Sequence, residues 1–99
     1  MSGKFRAAGS FYQESRDLLV VHGELLDGVV RIGQYVSAPA DFPARVHDVE
    51  VVRLPDGHED LALMFLPASA AQAAEWQQRR FDDVLLDLAE TPRSVSPTA

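Results

Sequence analysis

Three histidines and two adjacent acid pairs are the residues of this chain whose types suit proton transfer or metal binding. They are His22, His47 and His58, with Glu59-Asp60 and Asp82-Asp83. His58-Glu59-Asp60 is the tightest cluster of ligating types, but it follows Pro55-Asp56-Gly57, a turn by composition. Histidines spaced for a metal, as H-x-x-x-H or H-E-x-x-H, do not occur, so no metal site is expected. Neighbouring acids on a strand face opposite ways, which argues against a paired-carboxylate acid–base centre. Ser10, Ser15, Ser37 and Ser69 lack a nucleophile elbow, and cysteine is absent. The expectation is a non-enzyme with no catalytic residues, no metal and no cofactor.

The aromatics offer contact chemistry instead. Phe5, Phe11, Phe65 and Trp76 read as core. Tyr12, Tyr35 and Phe42, with His58, are the candidate partner contacts. Arg16, Arg31, Arg45 and Arg53 are expected on strands with acids between them, the pattern of a surface laced with salt bridges. With 15 acids against 9 bases, the net charge is -6 and the pI near 4.8. That sign is wrong for a duplex-binding domain, whose affinity comes from cations on phosphates.

These residues must be positioned by a small scaffold. Ninety-nine residues make one domain, burying roughly 65% of the surface of the unfolded chain. The compact part is expected over residues 1–90. The Pro/Ser/Thr-rich stretch 91–99 is expected to be a disordered tail. Met1 to Ser10 has no apolar leader core, and the longest apolar run, Leu61–Leu66, is far below the ~20 residues of a membrane helix. A cytoplasmic protein with no membrane contact is expected.

Leu18–Leu25 reads as a strand with apolar residues on both parities, hence buried on both faces in places. Asp27-Gly28 signals a two-residue hairpin turn into a strand Val29–Ile32. Gly33 marks a bulge or bend before Gln34–Val36, and the proline-containing stretch Ser37–Ala44 reads as loop. Arg45–Arg53, Leu61–Leu66 and Val84–Leu88 complete the strands. One helix is expected from Ser69 onward: Ser69 and Gln72 fit a capping box, alanines follow, and Arg79 and Arg80 close its C-terminal end. Trp76 should plug one end of the core. Gly23, Gly28 and Gly33 are read as backbone turn and bulge devices.

About six short strands with regular turns suggest an all-β fold: a small closed antiparallel, Greek-key-like six-stranded barrel with one short helix near the C-terminus. The spacing of Gly23, Gly28, Gly33 and Val36 resembles the second-domain β-barrel of translation GTPases such as elongation factor Tu. Val46, Val49, Glu50 and Arg53 are similar to a later strand of that module, and Val84-Leu85 to its closing strand. The resemblance implies the fold and covers about Phe5 to Leu88. It carries over no tRNA-site residue: Gly9 and Ser10 stand where that module has an acidic pair, and Arg16, Asp17 and Leu18 where it has a glycine-arginine-glycine turn. No G-x-x-x-x-G-K-[ST] loop is present, so no nucleotide is expected.

The function expected from the sequence is recognition of a protein partner on a rigid barrel, with the Ser37–Ala44 and Pro55–Asp60 loops as contacts. RNA or tRNA binding by an accessory protein is the first alternative. A small acidic inhibitor or immunity-type protein, steered by its charge, is the second. Monomer and homodimer both remain open.

Overall fold

The computed structural model describes residues 2–91. The stretch 91–99, expected to be a disordered tail, lies outside these residues apart from Thr91. Six strands and one helix form: β1 (Gly3–Gln13), β2 (Leu18–Gly28), β3 (Tyr35–Ala38), β4 (Val46–Arg53), β5 (Glu59–Phe65), α1 (Ala70–Gln78) and β6 (Val84–Ala89). The strands make one antiparallel sheet in the order β3-β6-β1-β2-β5-β4. Hydrogen-bonded strand pairing leaves β3 and β4 as edges, so the sheet is open where a closed barrel was expected. The backbone nevertheless joins the two edge regions locally. Gly33 N donates to Val46 O at 2.8 Å, Val46 N to Gln34 O at 2.8 Å, and Val36 N to Ala44 O at 2.9 Å.

A bulge between Ala7 and Gly9 organises the faces. Before it, Phe5 and Ala7 point into the main core. After it the parity flips, so Tyr12 packs against that core while Phe11, opposite Val20, lies on the other face. Phe11 is therefore 52% exposed, not the core residue its type suggested. The main core gathers Phe5, Leu19, Val21, Leu63, Phe65 and Leu86 with the aromatics Phe42, Trp76 and Phe81. On the opposite face Leu18, Val20, Ala62 and Met64 form a second buried cluster, which explains the apolar residues on both parities.

The expected hairpin at Asp27-Gly28 does not form. β2 runs through Gly28, which pairs with Gly3, and Val29–Ile32 is an irregular connection. The β1 partner ends there, so a further strand would have no ladder. A side-chain amide serves the loop instead. Buried Gln34 accepts from Arg31 N at 2.7 Å and donates to Val29 O at 3.0 Å. Gly28 still needs its glycine, because its φ is +77° and a Cβ would overlap the Ser2 carbonyl oxygen. Gly33 (φ +97°) sits in the turn before β3.

Ser69 caps α1 as expected, accepting from Gln72 N at 3.1 Å. Gln72 reaches back to Ala68 N at 2.7 Å, one residue before the usual capping-box donor. The helix stops at Gln78, short of Arg79 and Arg80. Arg79 leaves it in extended conformation because its guanidinium is drawn to Asp41 (3.0 Å) and lies over the Phe42 and Phe81 rings. Trp76 is buried in the main core, its ring centroid 5.3 Å from that of Phe42.

Candidate functional site

Two surface depressions gather the residues with chemistry, and they differ in how their charges are satisfied. The first lies over β1, β2 and β5. It is a cleft of about 310 Å³ lined by Arg6, His22, Glu24, Leu54, His58 and Asp60 among others. Asp60 is only 7% exposed, although it sits on the outer face beyond Ala62. The β2–β5 register brings His22 of β2 near it, and the β4–β5 turn supplies His58. His22 Nδ1 is 2.9 Å from one carboxylate oxygen and His58 Nε2 is 2.8 Å from the other.

An ionised carboxylate only accepts hydrogen bonds, so each of these nitrogens carries a proton. In the neutral rings, His22 Nε2 and His58 Nδ1 are then the lone-pair nitrogens. His22 lies across Gly9, where a Cβ would stand 2.8 Å from Nε2. At the rim Arg6 pairs with Glu24 at 2.7 Å and reaches Asp83 at 3.7 Å. The turn is fastened by Asp56, which accepts from His58 N at 2.8 Å. Two imidazoles oriented by one carboxylate each leave one ring nitrogen unused on that carboxylate, but no hydroxyl or thiol nucleophile lines the cleft. The two nitrogens meet different oxygens, and among the described residues no three ligating side chains converge to hold a metal.

The second depression lies where the sheet's two edge regions meet. A groove of about 350 Å³ runs along Tyr35, Pro43, Ala44 and Gln72 with Trp76 at its base. A second hollow of about 290 Å³ adds Ile32 and His47, and Arg45 and Leu66 line both. Ile32 is 64% exposed and Leu66 51%. Leu66 falls just past the end of β5, and Ile32 lies in the connection that failed to become a strand. The Arg45 guanidinium lies 5.3 Å from the Tyr35 ring centroid, and its Nε donates to Gly33 O at 3.3 Å. Arg45 has no acidic partner among the described residues.

The four candidate contact residues separate. Tyr35 lines the groove and exposed His58 lines the cleft. Tyr12 is half-buried, and its hydroxyl donates to the Asp17 carboxylate in the β1–β2 turn. Burial, then that hydrogen bond and the negative charges of Asp17 and Glu14, raise its pKa to about 12. Phe42 is no surface contact: it is fully buried, ring to ring with Phe65 at 5.1 Å and Phe81 at 4.9 Å. Its loop folds inward because the end of the core needs filling. Gly23 is buried within β2, where a Cβ would overlap the Arg6 carbonyl oxygen.

Reading by type overlooked Ile32, Arg45 and Leu66 as neighbours. A signal was available in Leu66, an apolar residue directly before Pro67 and so at the limit of its strand. Comparison with protein-family models, curated proteins and solved structures finds no match to this chain.

Proposed function

We propose that this chain is a non-enzymatic binding module that recognises a protein partner through the Ile32–Tyr35–Arg45–Leu66 groove. The scaffold in this reading is a closed barrel of the translation-factor second-domain kind. The bonds between residues 33–36 and 44–46 support closure, since they link the segments that lead into the two edge strands.

The observation that carries the function is the pair Ile32 and Leu66. Both are more than half exposed, and both line the second hollow, which shares Arg45 and Leu66 with the adjoining groove. Isolated exposed apolar residues need no explanation, whereas apolar residues converging on a groove mark interaction sites. The histidine cleft favours no enzyme reading, because no hydroxyl or thiol nucleophile lines it beside the two imidazoles.

A pull-down from native lysate tests this reading, comparing wild type with the Ile32→Glu/Leu66→Glu double variant. Wild type should retain a discrete partner that the folded double variant loses. Identical retention by both proteins, or none by wild type, rejects the groove as the recognition surface.

A further inference from the structure

Resting on that reading, we infer that the groove takes a largely apolar peptide segment bearing one carboxylate, and that Arg45 reads the carboxylate. Arg6, Arg53 and Arg79 each hold an acidic partner within this chain, at 2.7, 3.1 and 3.0 Å. Among the described residues Arg45 holds none, and neither do Lys4, Arg16, Arg31 or Arg80; Arg45 differs from these in lining both hollows beside the exposed apolar Ile32 and Leu66.

Its side chain is nevertheless placed. The guanidinium stacks on Tyr35, and Nε is used on the Gly33 carbonyl. The two terminal nitrogens are left to donate. A planar fork fixed by its own neighbours loses little freedom on meeting a carboxylate, and the fork matches that group in a bidentate way.

The surroundings restrict the rest of the ligand. Ile32 and Leu66 present apolar surface on either side of the fork, and the two hollows each accommodate only a few side chains. Exposed Arg31 adjoins Ile32 in the chain, and no acid lines either hollow. The net charge of -6 over the whole chain repels a densely acidic ligand. A single carboxylate among apolar residues suits both conditions. RNA suits them less, because its affinity accumulates over many phosphate contacts, and the groove offers one positioned fork.

The test is a selection of displayed random heptapeptides on the full chain. It is repeated on Arg45→Ala, Arg45→Glu and Ile32→Glu/Leu66→Glu, each first shown to melt like wild type. Wild type should enrich sequences with Asp or Glu beside Leu, Ile, Phe or Trp. Synthetic versions should bind Arg45→Ala roughly tenfold more weakly. Arg45→Glu should reject them and favour Lys or Arg in their place.

Enriched peptides with no acidic bias, lost on the double variant but not on Arg45→Ala, overturn the carboxylate inference and leave the groove a peptide site. No enrichment, or equal binding to the double variant, overturns both. Filter binding to tRNA that depends on Arg45 and falls with salt would make the groove an RNA site. A dimer in light scattering that Leu66→Glu dissolves would make the occupant a second copy. Either result overturns the inference.

Discussion

The cleft over β1, β2 and β5 and the groove at the sheet edges hold comparable side chains but spend them differently. In the cleft each charged group has a partner: Arg6 pairs with Glu24, and the Asp60 carboxylate is held by the rings of His22 and His58. In the groove Arg45 stacks on Tyr35 and faces apolar neighbours. The pairing at buried Asp60 holds the fold in place, because removing a partner leaves a buried group unsatisfied, whereas the exposed Arg6–Glu24 pair contributes little. A charge with no partner contributes little to folding and remains available to a ligand. Cleft residues should therefore register in stability and groove residues in binding.

The largest expected effect breaks the cleft from beneath. Gly23→Val forces a side chain into the Arg6 carbonyl and the Ala7 backbone, in the middle of the sheet. It should cost more than about 4 kcal/mol, enough to abolish a cooperative urea transition. A folded Gly23→Val protein would show that β1 and β2 can part without loss.

Asp60→Ala comes next. It strips both imidazoles of their acceptor and should lower unfolding free energy by about 1–3 kcal/mol, read from urea midpoints. Affinity for groove peptides should not change. Arg45→Ala should do the reverse, shifting stability by less than about 0.5 kcal/mol. If the two variants exchange these signatures, the contrast between the regions is wrong.

Two smaller effects extend the idea to other internally paired groups. Tyr12 has its pKa raised to about 12, so the folded state keeps a proton that the unfolded state releases near 10.0. Its contribution is complete below pH 10 and disappears as pH rises from 10 toward 12. Urea midpoints over that window should fall further for wild type than for Tyr12→Phe.

Asp41 behaves oppositely and more weakly. The hydrogen bond from Arg79 and its positive charge hold the carboxyl below the ordinary range. Its contribution is present above that range and lost as pH falls through the lowered value. Asp41→Asn should flatten this acid limb slightly, visible as a smaller loss of melting temperature on acidification.

Much of the frame was legible locally. The apolar runs announced most strands, and the Ser69–Gln72 spacing announced the start of the helix. Glycine chemistry marked Gly28 correctly as a positive-φ residue and misread its setting as a hairpin. Phe42 and Phe11 exchanged roles. A lone aromatic between prolines carries no periodicity, and Phe11 was moved to the other face by a bulge upstream of it. The candidate sites were harder still. His22 and Asp60 are 38 residues apart, and the groove assembles Ile32, Arg45 and Leu66 from three separate connections.

By itself the sequence determined a cysteine-free, acidic, strand-rich domain with one capped helix, because composition, propensity and capping act over a few residues. Tertiary structure alone decided which face each side chain occupies and which charges find partners. One extra residue in a strand reverses every side chain beyond it, and pairing depends on register between distant segments. The cleft and the groove differ at that level: register brought His22 of β2 to Asp60, where the β4–β5 turn already supplies His58, and left Arg45 facing apolar surface.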